Sequence, residues 1–246
     1  MSITIVTGAG SGMGRALALS QVAKGNPVLA VGRREGPLRE TARLSDDPAL
    51  VTVATGDLGN PDDVEAIVAS LGDRPVRAVV AVAGGQGTFK DASGGVRAAE
   101  TAWTEALRKN LFSAILLIEG VLARIEDGGR IVLIGSTAGL DGEGGPYATA
   151  KAALHGYGRD LARRVGERGI TVNTIAPGFV GGTEFFEAGG YGDPSKMVDA
   201  VAAKTLLGRV GTPDDIVGGI EWLLSPGAAW LTGQTISING GSVLVR

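Results

Sequence analysis

A single α/β domain spanning residues 1–246, built on a doubly wound parallel sheet with helices on both faces, is the fold class this sequence predicts, and three observations predict it. Short β-branched or apolar runs alternate with amphipathic segments along the whole chain, and the runs are apolar on both faces, as strands covered on both sides must be. A glycine-rich turn, Thr7-Gly8-Ala9-Gly10-Ser11-Gly12-Met13-Gly14-Arg15, joins the first run to the first amphipathic segment. Three helix starts share a capping side chain followed by proline, at Asn60-Pro61, Asp193-Pro194 and Thr212-Pro213.

The strands are expected at 3–7, 27–32, 50–55, 77–83, 130–135, 171–176 and 235–239. The helices are expected at 13–24, 37–44, 61–71, 98–124, 147–168, 194–204 and 213–224. Acidic pairs in the first turns at Asp62-Asp63 and Asp214-Asp215 face the positive end of their helix dipoles and reinforce those two boundaries. One long stretch, 178–193, lacks periodicity. Loops of that length in compact domains are usually functional, so a mobile substrate loop is expected around 178–205, with Phe179, Phe185, Phe186, Tyr191 and Met197 as apolar groups that either line a substrate pocket or anchor the loop on the core.

Composition narrows the function classes. The chain has 44% hydrophobic and 20% charged residues, a globular balance, and its 41 glycines cluster at turns rather than repeating with a period. A net charge of −3 offers no overall positive field for nucleic acid or an anionic membrane, so neither is an expected partner. With no cysteine there is no thiolate nucleophile and no Cys-based zinc site; no metal is expected, and chemistry falls to hydroxyl, amine, carboxylate or a borrowed cofactor. The opening Met1-Ser2-Ile3-Thr4 runs into a strand with no leader pattern, and no apolar run approaches the ~20 residues that span a bilayer, so the cytoplasm is the expected compartment. Trp103, Trp222 and Trp230 read as packing residues, and His155 as a helix-packing or subunit-interface histidine.

The glycine turn opens a helix straight after a strand, the context in which a dinucleotide pyrophosphate meets free backbone N–H groups. The spacing is T-G-x-x-x-G-x-G, with Gly8, Gly12 and Gly14; Gly10, Ser11 and Met13 complete the turn. At the end of the second strand, where an NAD-binding chain carries an acid for the ribose 2′-hydroxyl, this one has Arg33 and Arg34. A guanidinium suits a 2′-phosphate, so NADP(H) is the preferred cofactor, with NAD(H) left open.

Tyr147 and Lys151 are four positions apart at a helix start and share one face. A free phenol has a pKa near 10, and bringing it to neutrality takes roughly 4 kcal/mol, about what one ammonium ~4 Å away supplies at an effective dielectric near 20. Ser136, after the fifth strand, is placed to hold a substrate oxygen facing the tyrosine.

Glycine turn, strand-end serine and Tyr-Lys pair in this order resemble the classical short-chain dehydrogenase/reductase family, over the whole length of the chain. The resemblance implies a Rossmann-like sheet of about seven strands in the order 3-2-1-4-5-6-7. It also implies hydride transfer between nicotinamide and a carbonyl carbon while Tyr147 handles the proton, and a homo-oligomer, tetramer or dimer. By the same resemblance Asn110 helps hold a proton-relay water near Lys151. Asp57 bonds the adenine, with Leu58 beside it; Ala83, Gly84, Gly85, Pro177, Gly178, Val180 and Thr183 line the cofactor, and Tyr147 and Lys151 also bind it.

The chain departs from the family pattern in places. Val82-Ala83-Gly84-Gly85 stands where the family has N-A-G, a change expected to alter packing rather than chemistry. Tyr147 follows Ser136 by 11 positions, about two fewer than the commonest spacing, which leaves Thr137 as the alternative hydroxyl. The expected activity is reduction of a ketone or aldehyde, or oxidation of a secondary alcohol, on a small molecule. The alternatives are 3-oxoacyl-carrier-protein reduction and, outside catalysis, a dinucleotide-binding redox sensor. A carrier protein is acidic, and the mixed charge of segment 124–130 favours a small ketone.

Overall fold

Side-chain alternation in β1 (Ile3–Thr7) sends Ile3 and Ile5 to one face of the sheet and Val6 to the other. The same split recurs in β5 (Ile125–Ile134), with Ile131 and Leu133 on the first face and Val132 and Ile134 on the second. Two apolar cores result, one on each side. The computed structural model describes residues 1–85, 94–183 and 194–244. Its remaining strands are β2 (Val28–Gly32), β3 (Val51–Thr55), β4 (Val76–Ala81), β6 (Thr171–Pro177) and β7 (Thr235–Ile238), joined in the order β3-β2-β1-β4-β5-β6-β7 with every neighbouring pair parallel.

The first face is covered by α3 (Pro61–Ser70), α5 (Ser113–Val121) and α7 (Gly145–Val165), through Ile67, Leu117, Leu154 and Leu161. The second is covered by α1 (Gly12–Ala23), α2 (Glu35–Leu44) and α9 (Pro213–Leu224), through Leu17, Leu38, Ile216 and Ile220. The chain leaves β1 toward β2 on one side and returns to β4 on the other, and that reversal opens a crevice at the C-terminal strand ends. Asn60 caps α3, and Thr212 with Asp215 forms a reciprocal capping box on α9. No helix among the described residues is long and apolar enough to cross a membrane.

Four departures from the expectation go beyond shifts of one to three residues at element ends or have a visible cause. The helix expected at 98–124 is divided: α4 (Gly95–Leu107) passes through a π-turn, Arg108–Phe112, into α5. Asn110 supplies a reason, because its side-chain amide donates to the Ala106 carbonyl, the acceptor that its own backbone N–H would use in an α-helix. A single turn, α6 (Ala138–Asp141), occupies the connection between Ser136 and Tyr147. β5 starts at Ile125, pairing with Val76 ahead of a register shift. β4 stops at Ala81, since Ala83 N donates to the Thr7 hydroxyl instead of continuing the ladder.

Of the expected substrate loop, residues 178–183 and α8 (Pro194–Ala202) are described. The cap at Asp193 and the candidates Phe185, Phe186 and Tyr191 lie outside the described residues, as does the side chain of Met197.

Candidate active site

The glycine turn is shaped by what lies under it. Gly8 and Gly12 have φ of 66° and 49°, which a side chain would strain, and a Cβ on Gly14 would collide with the Gly8 carbonyl. Arg15 braces the turn from below, donating to the Gly10 carbonyl and, at 3.1 Å, to the Thr41 hydroxyl, while Thr41 donates 2.8 Å to the Ala9 carbonyl. Ser11, at the N-cap of α1, makes no side-chain cap, and the first turn holds no acid. The helix therefore offers bare N–H donors and its positive end to an anion.

From this turn a cleft of about 1210 Å3 runs over the strand ends to Tyr147. It is lined by every catalytic and cofactor-binding candidate named from the sequence except Asn110, which is buried. Ser136 and its alternative Thr137 both reach the lining. At one end stand Arg33 and Arg34, both exposed, and across from them Asp57 and Leu58. One Asp57 carboxylate oxygen accepts from Gly59 N at 2.9 Å, which fixes the side chain at the rim. Thr183 lies against Gly12, its methyl 3.2 Å from where a Cβ would stand, and Val180 is pinned by a bridge to Gly211. Pro177–Thr183 thus closes the cleft over the glycine turn. These features fit an adenine dinucleotide: a cradle that side chains would fill, bare helix donors and a slot long enough for two nucleotides.

At the other end, α7 lays Tyr147 and Lys151 on one face, as their spacing requires. Lys151 is 3% exposed, donates 2.7 Å to the Ile134 carbonyl at the end of β5, and lies 5.9 Å from the centroid of the Tyr147 ring. Burial pushes its pKa down to about 8, so near pH 7 roughly nine-tenths of it remains ammonium. A largely ionised ammonium therefore stands beside the phenol ring, and its charge favours the phenolate.

The Ser136 oxygen accepts from Ala138 N at 3.2 Å, leaving its hydroxyl hydrogen to aim into the cleft. Asn110 grips Gly85 from both sides, its oxygen accepting from Gly85 N at 2.9 Å and its amide donating to Gly85 O at 3.0 Å. A Cβ on Gly84 would stand 2.8 Å from the Asn110 oxygen and 3.1 Å from the Lys151 nitrogen, so this glycine lets the two side chains converge under the crevice.

Several contributors escaped the sequence reading. Gly139 packs on α7 so closely that a Cβ would lie 2.8 Å from Ala152 N, which seats the serine turn against the Tyr-Lys helix. Glycine in a seven-glycine neighbourhood carried no signal of which one mattered. Arg15 and Thr41, separated by 26 positions, brace the loop through a contact only the fold creates. Segment 124–130, weighed above for its charge, opens β5 at the N-terminal end of the strands, opposite the cleft, and its mixed charge has no bearing on the substrate mouth. His155 is buried against Gly135, as a packing histidine should be. The tryptophans do not fill the core: Trp230 is fully exposed, and Trp103 and Trp222 are 39% and 48% exposed.

A family model described as enoyl-(acyl carrier protein) reductase matches residues 8–242. The 3-oxoacyl-(acyl-carrier-protein) reductase FabG of Vibrio cholerae is 32% identical over 248 residues, covering 99% of this chain and 98% of that one. The enzyme of the same name from Pseudomonas aeruginosa is 34% identical over 250 residues, covering 97% and 96%. Among solved structures, a short-chain dehydrogenase/reductase from Brucella melitensis, titled glucose/ribitol dehydrogenase, superposes with a TM-score of 0.88 at 26% identity, covering 99% and 97%.

Proposed function

The chain belongs to the short-chain dehydrogenase/reductase family, and from that premise we propose that this oxidoreductase uses NADP(H) to interconvert a ketone or aldehyde and the corresponding alcohol. The observation that carries the reading is the convergence of Tyr147, Lys151 and Ser136 at one end of a cleft whose other end holds the glycine turn and Arg33-Arg34.

When bound, the nicotinamide supplies or accepts the hydride. Ser136 holds the substrate oxygen by its hydroxyl, and Tyr147 gives that oxygen its proton as the carbonyl is reduced, or takes it as the alcohol is oxidised. Lys151, held by the Ile134 carbonyl, keeps a positive charge beside the phenol and favours its ionised form. Asn110 keeps the end of β4 in place through Gly85, so that Lys151 has room beside Gly84. Arg33 and Arg34 favour a 2′-phosphate over a bare ribose.

A second reading, reduction of a 3-oxoacyl thioester on a carrier protein, is favoured by the names of the relatives that match nearly the full chain at 32–34% identity. Against it stands the charge of the cleft's substrate end, where Asp141 and Glu143 line the approach to Tyr147 and would repel an acidic carrier. A redox sensor without turnover has less support, because the proton-transfer groups lie together.

An NADPH-oxidation screen over small ketones, aldehydes and 3-oxoacyl thioesters tests this. Turnover of a small carbonyl compound above that of the thioester is the expected result. The reverse order establishes the second reading, and tight NADPH binding with no turnover across the panel establishes the sensor.

A further inference from the structure

The π-turn that carries Asn110 brings two more cations to the cleft, Arg108 and Lys109, and the sequence motifs assign neither of them. Lys109 approaches from the β4 side. Because Asn110 is bonded to both backbone groups of Gly85, the turn is fixed on the strand end, and the Lys109 nitrogen lies 3.3 Å from where a Gly85 Cβ would stand. A side chain at Gly85 would therefore displace the lysine. Arg33 approaches from the β2 side. In the sheet order β2-β1-β4, the two cations flank the crevice above β1.

We propose that Lys109 is a cofactor-binding and specificity-determining residue, the second jaw of a clamp that holds the 2′-phosphate of NADP(H) against Arg33. The proposal rests on the NADP(H) reading above. Lys109 is partly buried, and its pKa is pushed down first by that burial and then by the charge of Arg33, with Glu105 acting in the opposite sense. Two like charges held together in a partly dry crevice repel, and a phosphate dianion between them relieves both.

The pyrophosphate is a weaker candidate for Lys109. That group has its own donors at the N-terminus of α1, and the cation of the glycine turn, Arg15, is turned away into Gly10 and Thr41. Arg33, one of the charges that reach Lys109, stands instead at the strand end where the ribose 2′ position is read.

Calorimetric titration of the full chain with adenosine 2′,5′-bisphosphate, 5′-ADP, NADPH and NADH tests the clamp in the wild type, Lys109→Met, Lys109→Gln, Arg33→Met and the Lys109–Arg33 double variant. Loss of one charge-assisted bond corresponds to about tenfold or more in Kd. Lys109→Met and Lys109→Gln are expected to weaken the 2′,5′-bisphosphate and NADPH by that factor and the NADPH-to-NADH preference with them. 5′-ADP should shift less than about twofold, and the double variant should lose less than the product of the singles. Equal losses for 5′-ADP and the 2′,5′-bisphosphate overturn the clamp, as does an unchanged preference in both lysine variants. A wild type that binds NADPH and NADH alike instead overturns the NADP(H) reading itself. Should Lys109→Met unfold, Lys109→Gln carries the same decision.

Discussion

An ammonium 3% exposed, bonded at 2.7 Å to the Ile134 carbonyl, is an expensive group to bury, and Lys151 is such a group. Its folded pKa of about 8 lies below the ordinary value of 10.5, so the folded chain prefers the neutral amine. Below about pH 8 the lysine is charged in both folded and unfolded chains, and the burial cost is felt in full. Between about 8 and 10.5 the unfolded chain binds more protons, and stability rises with pH. Lys151→Met removes this dependence. The stability of the variant relative to wild type should therefore fall by about 3 kcal/mol between pH 7.5 and 10.5, measured by urea unfolding at each pH. A difference independent of pH would place the titrating group elsewhere. The choice between the two hydroxyls also belongs to single residues. Ser136→Ala should lower kcat by about a hundredfold, as loss of an oxygen-holding donor does, and Thr137→Ala by less than about tenfold. Steady-state kinetics with one carbonyl substrate decides, and the opposite ranking would move the role to Thr137.

Short elements join the long helix α7 in positioning the reacting groups. The single turn α6 lies between Ser136 and Tyr147, and it can pack against α7 only because Gly139 has no side chain. Gly139→Val should push this turn off the helix and cut kcat by more than about tenfold, with the far-ultraviolet circular dichroism spectrum retained; full activity would show that the turn tolerates displacement. Thr212→Ala removes the capping box of α9, and Thr212 itself does not line the cleft. It should cost about 1 kcal/mol in urea unfolding with kcat unchanged. The caps at Asn60 and Thr212 were legible from sequence because a capping side chain, proline and acids act within one turn. The break in helix 98–124 was not, since the hydrophobic pattern runs on through 108–112 and the cause is one Asn110 amide taking a carbonyl four residues back. The serine turn was equally hidden, because its helical geometry depends on packing against α7 and not on its own residues.

At the scale of the molecule, the alternation of apolar runs and amphipathic segments was enough to foresee a parallel sheet covered on both faces, and the motif resemblance added the order of its strands. Charge distribution was not foreseeable from the net value of −3, because cations from two distant segments, Arg33-Arg34 and Arg108-Lys109, line the same cleft. Nor was the exposure of the tryptophans. Trp222 and Trp230 lie open near β7, which has a strand neighbour on one side only. An edge strand beside exposed aromatic surface is expected to be covered by a second copy of the chain. Sedimentation at micromolar concentration should find a dimer or tetramer, and Trp222→Ser with Trp230→Ser should shift it toward smaller species; a monomeric wild type would contradict this. The account as a whole turns on a phenol that moves a proton at the end of a dinucleotide cleft. Single-turnover reduction of a carbonyl substrate by prebound NADPH, compared between wild type and Tyr147→Phe, measures this directly. The variant should bind NADPH with unchanged Kd and transfer hydride at least about a hundredfold more slowly. Hydride transfer at the wild-type rate without the Tyr147 hydroxyl would contradict it.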